Sequence, residues 1–334
     1  MNVFELTRAL VDVPSVTEDE GAVAQFLEQY LREIAATTGG TVERIAVTED
    51  RWNVLAVWGQ PVVTLSTHMD VVPPWFASSE DERRIWGRGA CDAKGIIAAM
   101  IVAATELLRD GQRNFALLFV VGEERNSAGA YAAATQPRGS QFIINGEPTE
   151  NKLALGSKGS LRYELIARGR MAHSAYPELG ESAIDKLLNM LAEIRSIKLP
   201  SHPVLGPSTL NIGTISGGRA PNVIADDARA ELLIRLIDDG SATRAAVQQA
   251  ANLAGIEAKE VLCVPAVQLE SLPGFETDIV AFTTDIPAFG GAWGKPLLIG
   301  PGSIHVAHTT EEHIEKEQLT RAIEIYKELV IRLS

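Results

Sequence analysis

Residues 62–70 read VVTLSTHMD, an apolar and β-branched run that stops abruptly on a histidine and an aspartate two positions apart. Such a run suits a strand buried on both faces, and strands of that kind belong to parallel sheets covered by helices. The same grammar recurs at 115–124, FALLFVVGEE, and at 141–149, QFIINGEPT, where an apolar run again gives way to glycine and glutamate. Strands are expected at 53–58, 62–66, 115–121 and 141–144, with helices at 3–11, 20–37 and from about Ala93 to Gly111. This alternation predicts an α/β class protein, an α/β/α layer around a mostly parallel sheet.

The texture changes near Gly156. Alternating LRYELIAR (161–168), a helical stretch at 182–197, alternating STLNIGTISG (208–217) and ARAELLIRLI (228–237), and a helix at 242–254 read as a small α+β domain of ferredoxin-like order. The expected organisation is therefore one domain made of 1–156 and 265–334, with a second inserted at 157–264. A short strand at 296–299 and a closing helix at 317–333 return the chain to the first domain.

Composition narrows the functional classes. A hydrophobic fraction of 46% and a charged fraction of 22% are globular values, and 334 residues are enough for two cores. The net charge of −13 argues against a nucleic-acid surface, which needs Lys and Arg to displace counterions. The longest apolar run, from Ile96 towards Leu108, is well short of the ~20 residues that span a bilayer. The opening MNVFELTRALVDVPSVTEDEG has early acidic residues and no basic leader before an apolar core, so no export signal is expected. Two cysteines, Cys91 and Cys263, make no disulfide framework, and a reducing cytoplasm is the economical location.

Five segments carry residues able to do chemistry. His68 and Asp70 end one strand, at the sheet edge where open α/β folds bind ligands. Asp92 lies in GRGACDAKG (87–95), either as an ordinary helix N-cap or as a ligand approached closely because of the glycines. Glu123 and Glu124 follow a buried strand, and adjacent carboxylates there call for a cation unless the loop is simply solvated. Glu147 follows another strand, and His308 lies in GPGSIHVAHTTEEH (300–313), with His305 as its competitor. Four strand ends and a loop would thus converge on mixed imidazole and carboxylate donors, which suit Zn²⁺ better than Ca²⁺ or Mg²⁺. Five donors exceed the needs of one catalytic zinc and match two metals sharing a carboxylate. Cys91 has no such partners and reads as a small buried residue.

Seven ordered motifs, HMDVVPP, GRGACDAKG, GEE, NGEPT, GRMAHSAYPELGESA, GTISGGRAPNVIAD and GPGSIHVAHTTEE, run nearly end to end. In these the sequence resembles the zinc-dependent peptidase and deacylase family that includes aminoacylase, carboxypeptidase G, acetylornithine deacetylase and succinyl-diaminopimelate desuccinylase. The resemblance implies two Zn²⁺ per subunit, with Co²⁺ able to substitute: His68 and Glu147 on one, Glu124 and His308 on the other, Asp92 bridging. It makes Glu123 the general base and Asp70 the residue that orients His68. It also implies that the small domain is a lid and dimerisation domain of a homodimer. There His173 would polarise the scissile carbonyl, the alternative being a buried lid histidine, and Asn222 and Arg235 would grip a substrate carboxylate. Arg219 and Lys158 read equally well as solvated charge. Glu rather than Asp at 147 resembles the deacylases, so the implied substrate is an N-acyl-amino acid such as acetylornithine, acetyllysine or acetylcitrulline. A metallo-dipeptidase, a carboxypeptidase, a desuccinylase and a non-catalytic binding protein on the same fold are the alternatives.

Overall fold

The computed structural model describes residues 1–334. The chain divides into two compact units: Met1–Leu155, Leu269–Asp278 and Thr284–Ser334 make the first, Gly156–Gln268 and Ile279–Thr283 the second. The short return at 279–283 within the second unit has no counterpart in the sequence pattern.

The first unit is built on a six-stranded sheet in the order Thr41–Ala46, Trp52–Trp58, Phe115–Val120, Val63–His68, Phe142–Asn145, Lys295–Leu298. The last four strands run parallel, and the first two are antiparallel additions at one edge. Val63–His68 and Phe115–Val120 are buried along their whole length, because helices cover both faces. The period-2 geometry of a strand sorts their side chains. Phe115, Leu117 and Phe119 join one core cluster with residues of the helices Val3–Val11, Gly21–Thr38, Lys94–Arg109 and Lys316–Leu333. Ala116, Leu118 and Val120 join another with Ala130, Ala133, Phe289 and Trp293. The Lys94–Arg109 helix is apolar on most of its surface and buried along most of its length, in keeping with its Ala-rich sequence.

Two parts of this unit escape sequence reading. Thr41–Ala46 is a largely exposed edge strand whose TVERIA sequence is too polar to stand out. A satellite sheet of Ser79–Glu80, Arg84–Trp86 and His313–Glu315 is made of strands too short to show a period. No helix is long and apolar enough to cross a membrane.

The second unit is a ferredoxin-like α+β domain. Its sheet runs Thr209–Gly217, Asp227–Leu236, Gly159–Arg168, Glu257–Val264, antiparallel throughout. The helices Ala183–Ser196 and Ser241–Ala254 bury Leu187, Met190, Ile194, Val247 and Ala251 against Leu161, Leu165, Leu232 and Ile234. Arg162, Glu164, Arg229 and Glu231 alternate with those apolar residues and form polar pairs. The Glu257–Val264 strand, which the sequence pattern does not reveal, completes the β-α-β-β-α-β order.

Candidate metal centre

The register of the parallel strands brings the chemistry together. His68 stands opposite Val120, and Ser66 stands opposite Asn145, so three adjacent strands end at one level. Their continuations carry His68 and Asp70, Glu123 and Glu124, and Glu147. Gly122, at φ +79°, turns the chain at once, which only a residue without Cβ does cheaply. Asp70 then fixes that turn: its carboxylate accepts from the main-chain N–H groups of Glu123 and Glu124 at 3.1 and 3.2 Å and from the Thr17 hydroxyl at 2.8 Å.

His68 Nε2 lies 2.9 Å from one oxygen of Asp92, while His308 Nε2 lies 3.4 Å from the other and 3.0 Å from Glu124 Oε1. Asp92 therefore faces two imidazoles with its two oxygens, the disposition of a bridging carboxylate. Ligand atoms of His68, Asp92 and Glu124 all fall within 4.8 Å of one another. Glu147 is buried, held by Asn145 Nδ2 at 3.3 Å, and His68 and Asp92 are among the charges acting on it. Neither Lys nor Arg pairs with Asp92, Glu123, Glu124 or Glu147; their ion pairs are to histidine alone.

The electrostatics follow from that. Burial pushes Glu123 and Glu147 well above the usual carboxylate range, with neighbouring carboxylates adding to it. Glu124 is raised for the same first reason. Hydrogen bonds to Asp92 and Glu124 push His308 up to about 10. His68 is also raised well above its ordinary value, because Asp70 and Asp92 outweigh a burial that acts the other way. Without a cation, then, the cluster holds protons that free carboxylates and imidazoles would have lost. Two imidazoles and two carboxylates (Glu124 and Glu147) that hold surplus protons, gathered round an Asp92 that the two imidazoles keep ionised and with no Lys or Arg partner, fit a divalent metal.

The sequence profile of peptidase family M20/M25/M40 matches residues 64–332. The chain belongs to that family. It is thus a hydrolase of amide bonds, of the metallopeptidase kind. It is 38% identical to a peptidase M20 domain-containing protein of Schizosaccharomyces pombe, over 99% of this chain and 84% of that one. It is 35% identical to a probable carboxypeptidase of Ajellomyces dermatitidis, over 98% and 86%. The fold is shared with an M20 family metallo-carboxypeptidase of Sulfolobus solfataricus, at a TM-score of 0.79 and 17% identity over 99% and 98% of the chains.

Within this M20 member, several sequence expectations need correction. Asp92 does not follow a strand of the main sheet; the strand before it, Arg84–Trp86, belongs to the satellite sheet and ends six residues earlier. Nor is it an N-cap. The Lys94–Arg109 helix is capped at Ala93 with no side-chain hydrogen bond, which leaves the Asp92 carboxylate free for the cluster. The Asp70 carboxylate lies 3.6 Å from His68 Nδ1 and raises its pKa, the Asp70 main-chain oxygen lies at 3.0 Å from the same nitrogen, and the carboxylate also holds the Glu123–Glu124 turn. His305 is exposed, and the acid its charge acts on is Glu150. Cys91 is buried, with its thiol pushed well up by burial, which makes it a poor nucleophile.

In the second unit His173 is exposed, not buried, and its Nδ1 accepts from Ala175 N–H at 3.1 Å. Asn222 is exposed, and its main-chain oxygen accepts from Ser174 N–H. Arg235 is half-buried, and burial alone acts on its charge, with no acid beside it. Arg219 is tied to Asp226, and Lys158 to the Pro207 carbonyl. Sequence reading overlooked Asp285. It is buried, with one carboxylate oxygen unpartnered and a pKa raised to about 7 by burial, and its charge acts on Glu123 and Glu147. Its only signal was an acidic residue before a helix with proline in its first turn, which N-capping explains as well.

Proposed function

We propose that this metallopeptidase-family enzyme holds two zinc ions and removes the acyl group from an N-acyl-amino acid. The observation that carries the metal reading is the buried donor cluster of His68, Asp92 and Glu124, joined by His308 and lacking any basic partner. Asp92 would serve both ions, His68 and Glu147 one, Glu124 and His308 the other. When bound, the ions supply a hydroxide near neutral pH and a charge that polarises the amide carbonyl.

The remaining work falls to the chain itself. Glu123, whose carboxylate makes no hydrogen bond in the turn that Asp70 fixes, takes the proton of the attacking water and delivers it to the leaving nitrogen. Asp70 keeps that turn in place. The substrate's carboxylate is gripped by Arg235 and Asn222, a reading supported by a half-buried guanidinium that has no acid of its own. His173, exposed and able to donate through its ring, steadies the developing oxyanion from the partner subunit of a homodimer. Two unbonded cysteines are in keeping with a cytoplasmic location.

A second reading, carboxypeptidase or dipeptidase action, has the name of the Ajellomyces relative in its favour. Amine release from acetylated, succinylated and formylated amino acids, run beside dipeptides and with a chelator control, separates the two. Faster turnover of acetylated amino acids supports deacylation, and faster turnover of dipeptides replaces it with the second reading. Hydrolysis that survives complete metal removal rejects both. For the oxyanion role, mixing His173→Ala with Glu123→Ala subunits should recover part of the activity, and no recovery would exclude donation between subunits.

A further inference from the structure

Glu312 is a fully buried carboxylate that the proposed reaction does not use. It stands just before the strand His313–Glu315, which pairs antiparallel with Arg84–Trp86. The ladder extends one step further, with Gly87 N–H donating to the Glu312 main-chain oxygen at 3.1 Å. That register sets the Glu312 side chain against the loop 87–92, which ends in Asp92.

Both carboxylate oxygens are then spent. Oε2 accepts from Arg88 Nη1 at 2.5 Å, while Oε1 accepts from the main-chain N–H groups of Gly89, Cys91 and Asp92 at 2.9, 3.2 and 3.2 Å. Arg88 is itself anchored: its Nε donates to the Pro74 carbonyl, and its guanidinium lies 5.2 Å from the Phe76 ring centre. A carboxylate so occupied is held by Arg88 and the loop N–H groups and is not among the residues that face the cluster. What it does have is a position four residues after His308 in the chain and a direct hold on the backbone of Asp92.

We propose that Glu312 is a positioning residue for the metal centre: by gathering three N–H groups of the 87–92 loop onto one oxygen, it fixes the Asp92 carboxylate relative to the segment that carries His308. This rests on the reading of Asp92 and His308 as ligands. Partners of this kind, one bond beyond the ligands, hold ligand geometry, and their loss commonly weakens metal binding by about 10- to 100-fold.

The test is a competition titration of Zn²⁺ between the metal-stripped full chain and a chromogenic chelator, with thermal unfolding of each metal-free variant recorded alongside. Glu312→Gln should stay folded and bind Zn²⁺ about 10- to 100-fold more weakly than wild type. Leu27→Ala, a cavity in the main core away from the cluster, serves as control and should lose thermal stability without losing Zn²⁺ affinity. If Glu312→Gln does not fold because it strands the Arg88 charge, the double variant Arg88→Met/Glu312→Gln removes that charge and is read in the same way. Folded Glu312 variants that match wild-type affinity within twofold would overturn the assignment of Glu312 alone. A wild-type chain that takes up no Zn²⁺ would overturn the metal reading beneath it.

Discussion

The acids of the candidate metal centre and those of the second unit are treated in opposite ways. In the second unit Arg162 faces Glu231, Arg244 faces Glu260 and Arg219 faces Asp226, pairs set largely in solvent. In the first unit Asp92, Glu123, Glu124 and Glu147 gather at the carboxyl edge of the sheet, two of them buried outright and none paired with Lys or Arg. The same side chain is a solubility device in one place and a cation trap in the other. What separates them is the missing positive charge, since burying carboxylates together is costly until something neutralises them. Arg235 is the mirror image, a half-buried cation with no acid beside it, which supports the proposal that it receives a substrate carboxylate.

The hardest test of this contrast is Glu123. Glu123→Gln keeps the shape and removes the base, so turnover should fall by about 10²- to 10⁴-fold. Metal analysis should find the ions still bound, because the residue is not among the donors. A variant with near-normal turnover moves the proton transfer to another group, and Asp285 is then the first to examine.

Arg235 sharpens the contrast from the other side. Arg235→Met should raise KM by about 10- to 100-fold, the worth of a charge-assisted hydrogen bond, and change kcat much less. The informative control is a substrate amide lacking the carboxylate, on which variant and wild type should perform alike. Equal losses on both substrates would mean that Arg235 supports the fold and not the ligand.

The central parallel strands were legible because they are largely apolar or β-branched runs, and His68, Glu124 and Glu147, with Glu123 beside them, were legible because they sit where those runs stop. Asp92 was found as a residue but not as a geometry. It reaches the cluster from a loop off a satellite sheet whose strands of two or three residues carry no periodic signal. Asp285 and Glu312 were invisible for a related reason. Their importance comes from interactions with segments more than 130 residues away in the sequence, and a lone acid in a loop looks the same whether it is solvated or enclosed. Asp70 was picked out from its spacing with His68, and its carboxylate also serves the next strand's turn, a contact that only the parallel pairing creates.

Protonation gives a third, smaller effect. Glu123, Glu124 and Glu147 have folded-state values above their unfolded ones, so the metal-free folded chain holds protons that the unfolded chain releases. Their contribution is complete at low pH and is lost as pH rises through the folded values. The raised His308 acts in the same direction, its contribution fading only towards about 10. Lys94, lowered to about 7 by burial, acts in the opposite sense above that pH, which confines the clean window to about pH 5 to 6.5. Across it the melting temperature of the metal-free chain should fall by a few degrees, on the order of 1 kcal/mol, and Zn²⁺ should remove the slope. A metal-free melting temperature that rises through the window would mean that the cluster is not the surplus of buried acid described above.

The smallest effect is the one that keeps the comparison honest. Arg162 and Glu231 form a close cross-strand pair with side chains 48% and 43% exposed, so water already screens most of their attraction. Arg162→Met should shift the melting temperature by about 2 °C or less and leave Zn²⁺ binding and turnover alone. The metal-site acids have no Lys or Arg partner, so a substitution such as Glu124→Gln should cost Zn²⁺ affinity even where it spares, or improves, the stability of the metal-free chain. If Arg162→Met instead destabilised the protein as much as a core cavity, the solvent-exposed pairs of the second unit would be structural struts. The distinction between screened and unscreened acids would then lose its use as a guide to function.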